Sequence, residues 1–160
     1  MHGPGDIGPT SAGQFVLDYM RNKLPGIVRA AFSLVDVRDV AETMIAAAER
    51  GKRGERYLAA GRPLEMKALF ALMETVSGKI APKRAIPSWL LWVIAAGQEF
   101  YARVTGRAVL LSLATVRNIA NDHGRHFSAE KIWREFGITF RPIEQTLADE
   151  LNWYRQHGWL

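Results

Sequence analysis

The stretch from Phe32 to Gly61, FSLVDVRDVAETMIAAAERGKRGERYLAAG, constrains this chain more than any other. Phe32 to Val35 is a short apolar run of β-favouring residues that ends at Asp36, a natural helix N-cap. Val37, Val40, Ala41, Met44, Ile45 and Ala48 then recur at helical spacing, which predicts one apolar helix face. Gly51 falls where a left-handed residue commonly closes a helix. Gly54 turns the chain into Arg56 to Ala60, a second predicted strand closed by Gly61. A strand–helix–strand unit needs a sheet to join, and the rest of the chain offers few other strands. The sequence therefore reads as one part of something larger.

The remaining segments are mostly helical. Residues 1–10 form a Gly/Pro loop, and Ser11 with Gln14 has capping-box spacing ahead of Phe15, Val16, Tyr19, Met20 and Leu24. Pro63 is expected as the first residue of a helix through Leu64, Ala68, Leu69, Leu72 and Val76, stopped by Gly78. Ile80 to Arg84 reads as an extended basic connector. The longest predicted helix begins at Pro87 and runs to about Gly106, and another covers Ser112 to Asp122. His123 to Phe127 turns into a short extended piece, and Ser128 caps AEKIWREF, which ends at Gly137. Pro142 opens the last helix, with Ile143, Leu147, Leu151 and Tyr154 on one face. Seven helices and two or three short strands describe a helix-rich α/β chain, read as a single partial domain over residues 1–160.

Composition excludes several classes. The absence of cysteine rules out disulfides and thiolate metal sites and favours a reducing, cytoplasmic setting. The net charge of +5 is spread over every helix rather than clustered, so no nucleic-acid stripe is visible. MHGPGDIGPT has no apolar core of a leader peptide. The longest apolar run, Trp89 to Gly97, is about half of the ~20 residues a spanning helix requires. A weak peripheral membrane contact through Trp89 and Trp92 is the interfacial alternative.

Two motifs mislead. Gly3, Gly5 and Gly8 spell G-x-G-x-x-G, yet no strand precedes Gly3 to aim the loop at a pyrophosphate. Tyr19 and Lys23 spell Y-x-x-x-K, yet no serine accompanies them, and Tyr19 shares the apolar stripe of its helix. Asp122, His123 and His126 lack a helical frame for a metal and read as polar loop residues. Asp36 and Asp39 read as first-turn carboxylates that complement the helix dipole. Trp133, Trp153, Tyr154 and Trp159 read as aromatic core and edge packing. No catalytic constellation is complete, so no catalytic, cofactor-binding or metal-binding residue is assigned.

Taken together, GPGDIGPTSAG, NKLPG, SLVDVRDVAETMIAAAERGKRGERYLAAG, AIPSWLL and FSAEKIWREFGITFRPIEQTLADELNWYRQHGWL resemble the C-terminal half of extended short-chain dehydrogenases/reductases. The subgroup resembled is the NAD-dependent epimerase/dehydratase family, with its dihydroflavonol-reductase-like and hopanoid-associated sugar epimerase members. The resemblance implies a substrate-binding portion without its Rossmann core, inactive alone, from an oxidoreductase using NAD(P) on a sugar nucleotide or hydroxy-ketone-like substrate. It places GPGDIGPT beside nicotinamide and substrate, so that Gly3, Pro4, Asp6, Thr10 and Gln14 line the cleft and Arg84 holds an anionic group. It makes Arg56 to Ala60 a late strand of the large parallel sheet and pairs Phe32–Val35 with Arg125–Phe127. The expected partners are the small-molecule substrate and either a second copy or an N-terminal half. A non-catalytic helical interaction module is the competing reading.

Overall fold

The computed structural model describes residues 1–61, 63–105, 116–117 and 127–160. Six helices and one small sheet make up the described chain: α1 (Ser11–Met20), β1 (Ala31–Ser33), α2 (Val37–Arg50), β2 (Pro63–Glu65), α3 (Met66–Ser77), α4 (Ser88–Thr105), α5 (Glu130–Phe136) and α6 (Ile143–Gln156). The helix expected over 112–122 lies outside the described residues except for 116 and 117, which are helical, and the Asp122/His123/His126 group lies wholly outside them.

The main core forms where α1, α3 and α6 meet. Val16, Leu17, Tyr19 and Met20 from α1 close on Leu69, Phe70 and Met73 from α3 and on Leu147, Leu151 and Tyr154 from α6. The stripes predicted for α1 and α6 are therefore the buried ones. Phe15 and Tyr19 both stack on Phe70, at centroid distances of 5.8 and 5.6 Å. A smaller core joins Ala46 of α2 to Ile132 and Phe136 of α5 and to Ile138.

Local chemistry moved several boundaries. Pro63 does not start a helix: Pro63–Glu65 pairs antiparallel with Ala31–Ser33 in the register Phe32↔Leu64, and α3 starts only at Met66. The Met66 N–H donates to Ala30 O at 2.9 Å, so the strand pairing captures these residues first. Proline fits because it sits at the end of the ladder, where its missing N–H costs little. The α3 stripe accordingly becomes Met66, Leu69, Phe70 and Met73, and Ala68 is exposed.

Phe32 and Ser33 pair with β2, and the pairing expected for Phe32–Val35 with Arg125–Phe127 lies outside the described residues except for Phe127. Arg56–Ala60 forms no ladder among the described residues; Tyr57 and Ala59 pack inward against the core shared by α2 and α5, Leu58 is 51% exposed, and the Ala60 N–H donates to Leu58 O at 3.0 Å in a tight turn. Gly51 is not left-handed, having φ −68° and ψ 146°. It is required for another reason, because a Cβ there would lie 2.2 Å from Ala47 O. Trp133, expected in aromatic core and edge packing, is 60% exposed and borders an open cleft of about 910 Å3 that also touches Phe127 and Phe140.

The largest departure concerns the orientation of α2. Its helix forms as predicted, but the residues it buries are Asp39, Thr43 and Ala46. Met44 and Ile45, at the centre of the predicted apolar face, are 68% and 60% exposed. Polar pairing sets this orientation. The buried Asp39 carboxylate accepts the Arg141 backbone N–H at 2.8 Å and is ion-paired with the Arg141 guanidinium. Asp39 is therefore a tie between elements rather than only a dipole partner.

Candidate functional site

The Gly/Pro loop that opens the chain is held by one face of α6. Thr146, Glu150 and Tyr154 are spaced four apart, so they stack along one side of the helix, and each is 0–1% exposed. Each ends on a different part of the loop's surroundings. The Thr146 hydroxyl donates to the Asp36 carboxylate at 2.8 Å. The Glu150 carboxylate meets His2 Nδ1 at 3.0 Å and accepts the Gly3 N–H at 3.4 Å. The Tyr154 hydroxyl donates to Asp6 Oδ2 at 3.1 Å.

The base of the loop is fixed by backbone bonds. His2 N–H donates to Val35 O at 2.9 Å and Val37 N–H to His2 O at 2.8 Å, a parallel bridge beside the start of α2. There Asp36 caps α2 by accepting the Arg38 N–H at 2.8 Å. The Arg38 guanidinium returns to the same carboxylate at 2.9 and 2.7 Å and also reaches Asp149 at 2.7 Å. Burial raises the Asp36 pKa, but hydrogen bonds from Arg38 and Thr146 and the Arg38 charge outweigh it and hold it at about 2. Burial pushes the Tyr154 hydroxyl well above the ordinary tyrosine range, helped by the nearby Glu150 and Asp6 carboxylates. It is a proton donor throughout the physiological range.

At the far end, the cap of α1 is Thr10, not Ser11. Thr10 Oγ1 accepts from the Gly13 N–H at 3.3 Å, and the Asp6 carboxylate accepts the Thr10 N–H at 2.9 Å and its hydroxyl at 3.1 Å. Asp6 thereby satisfies the backbone donor that a capping-box side chain would take, and Gln14 turns to Asp18 at 2.8 Å instead.

Of the predicted site residues, Gly3, Asp6 and Thr10 are brought together by this network. Pro4 is half-buried within the loop, and Gln14 is exposed on the next turn of α1. Arg84 lies elsewhere: it is exposed, and its carbonyl accepts from the Ile27 N–H at 2.8 Å. Tyr19 and Lys23 do not converge, because the Tyr19 hydroxyl donates to Lys79 O at 2.7 Å while Lys23 is exposed. Among the described residues, no group of three or more His, Asp or Glu is placed to hold a metal ion, and no helix is long and apolar enough to cross a membrane.

Sequence reading missed His2, Thr146 and Glu150. The available signal was a Thr and a Glu four apart, each immediately preceding a core leucine of α6, on the border of its apolar stripe.

Comparison with known proteins covers almost the whole chain. It is 33% identical over 162 residues to a Synechocystis sp. protein named as a candidate dihydroflavonol 4-reductase, covering 99% of this chain and 47% of that one. Among solved structures, that of gox2253 is 32% identical with a TM-score of 0.78, covering 99% of this chain and 48% of that one. The UDP-glucuronic acid 4-epimerase of Bacillus cereus, solved with UDP-glucuronic acid and NAD, shares the fold at 14% identity and a TM-score of 0.61, over 98% of this chain and 43% of its own. No family model matches the chain. The chain spans about half the length of the curated relatives it matches.

Proposed function

This chain corresponds in sequence and fold to the C-terminal half of Rossmann-type extended short-chain dehydrogenases/reductases of the NAD-dependent epimerase/dehydratase family, and on that premise we propose that it is a substrate-binding portion that works with a sheet-bearing partner half. The complete assembly would exchange hydride with NAD(P) on a sugar nucleotide or a hydroxy-ketone-like substrate.

One observation carries this reading. Met44 and Ile45, on the predicted apolar face of α2, are open to solvent, and Tyr57–Ala60, which packs against the Ala46 cluster of the same helix, has no sheet partner among the described residues. Exposed apolar helix residues next to a segment without a ladder are the surface a sheet edge would cover. Within the assembly, Gly3, Pro4, Asp6, Thr10 and Gln14 would line the substrate side, with Arg84 available for an anionic group. NAD(P) supplies hydride transfer when bound. The GPGDIG loop does not fit its pyrophosphate, because the Asp6 carboxylate already sits on the N–H of Thr10, the N-cap of α1, where a phosphate would be repelled. Cofactor binding therefore belongs to the other half.

Two titrations test the proposal. The chain alone should not bind NAD or NADP measurably by calorimetry, and no hydride transfer should follow. A Kd of about 10 μM or tighter, worth ~7 kcal/mol, would overturn the reading. Mixed with the separately expressed N-terminal half of a related reductase, the chain should form a complex. Met44→Glu with Ile45→Lys should abolish that complex while leaving the chain folded, since both side chains are already exposed.

The exposed Trp89, Trp92 and Val93 of α4, at 66%, 40% and 59%, favour a second reading as a membrane-surface module. Flotation with anionic liposomes, lost on Trp89→Ala with Trp92→Ala, is its test.

A further inference from the structure

We propose that α6 is the positioning element of the substrate loop, acting through the buried polar row Thr146, Glu150 and Tyr154. The assignment rests on the loop's role in the proposed function, but its physical core, that α6 sets the loop's shape, does not.

The three groups lie on the border of α6's apolar face, four residues apart, and each is essentially without solvent. Burying a hydroxyl, a carboxylate and a phenol costs stability unless every one is bonded. Their partners are spread along the loop's course: Asp36 beside its root, His2 and Gly3 at its start, and Asp6 at its far end. A row that served only the core would be met more cheaply by leucines, as the neighbouring Leu147 and Leu151 are. The groups α6 fixes are the backbone of Gly3 and the carboxylate of Asp6. Asp6 in turn sets the Thr10 cap and therefore the exit of the loop into α1.

Gly13 supplies an independent sign of the same device. It lies inside α1, where alanine would ordinarily be the better helix former. A Cβ at this position would lie 2.0 Å from the Tyr154 hydroxyl and 2.1 Å from Asp6 Oδ2. Both are the ends of side chains, so a larger residue would displace the Tyr154–Asp6 contact without blocking the helix. The missing methyl leaves room for that one bond.

The test compares Gly13→Ala, Tyr154→Phe and Glu150→Gln with the parent chain by amide hydrogen exchange, resolved by NMR. The probes are the Gly3, Thr10 and Gly13 N–H groups, with Leu69, Phe70 and Met73 of α3 as the reference. Gly13→Ala and Tyr154→Phe should speed exchange at Thr10 and Gly13 by about ten-fold, the loss of one hydrogen bond to a charged group. The α3 amides should stay within about two-fold of the parent. Glu150→Gln keeps a carbonyl oxygen for the Gly3 N–H and should retain most of its protection, whereas Glu150→Ala should not.

Uniform acceleration of loop and α3 amides would reduce the row to ordinary packing and overturn the proposal. So would a Gly13→Ala chain with unchanged loop exchange, the result expected if only helix propensity mattered. A separate arm titrates UDP-glucuronic acid into the reconstituted assembly. Local loss of loop protection with unchanged affinity there would leave α6's control of the loop standing and remove the loop from the substrate site.

Discussion

Replacing Asp36 by asparagine should convert a buried charge network into a measurable acid response. The Asp36 side chain is 1% exposed and accepts from the Arg38 backbone, from two guanidinium nitrogens and from Thr146. Its pKa of about 2 lies below the ordinary 3.8, so the ionised form is favoured by the fold by ~2.5 kcal/mol. A depressed carboxyl pKa contributes stability that is present above pH 3.8 and is lost as pH falls through about 2. Asparagine keeps one cap oxygen but turns its NH2 toward Arg38 or Thr146, both donors. Urea unfolding at pH 7 should show Asp36→Asn less stable by about 2–4 kcal/mol. That difference should shrink by ~2 kcal/mol between pH 4 and pH 2, where the parent's carboxyl becomes neutral as well. Comparing the two proteins at each pH cancels the other titrating carboxylates. A difference that stays constant from pH 7 to pH 2 would refute the argument, because it would mean the charge at Asp36 contributes nothing.

Two further substitutions probe the scaffold around the site. Gly61→Ala would place a Cβ 1.5 Å from the Leu34 carbonyl oxygen, a backbone atom that cannot swing aside, and should cost about 3 kcal/mol or more in urea unfolding; a loss under ~1 kcal/mol would show that the 34–35 backbone yields. Arg141→Ala strands the Asp39 carboxylate with only a backbone donor, and a loss of about 2–3 kcal/mol is expected because Arg141 is itself a third exposed. Asp39→Asn with Arg141→Ala should recover part of that loss in a double-mutant cycle, and simple additivity would argue against the pair.

Local patterning, with its caps, prolines and glycines, was enough to locate α1, α2, α4, α5 and α6 and to identify the apolar faces of α1 and α6, because those faces meet each other inside this chain. It also marked the opening loop and the Asp36 cap, which depend on neighbouring residues only. The face of α2 that is buried here could not be read the same way. Hydrophobic spacing shows which side of a helix avoids water, but not which neighbour is present to cover it. In α2 the described structure buries Asp39, Thr43 and Ala46 because Arg141 and α5 are there to meet them. Pro63 illustrates the same division: its local preference is a helix start, and β1 overrode it by offering a strand to pair with. The loop's grip on α6 joins residues 148 apart in sequence, His2 to Glu150 and Asp6 to Tyr154. No local pattern encodes such contacts. They exist because packing the leucines of α6 against α1 and α3 brings a polar row at their border beside the loop, where burial compels each group to find a partner.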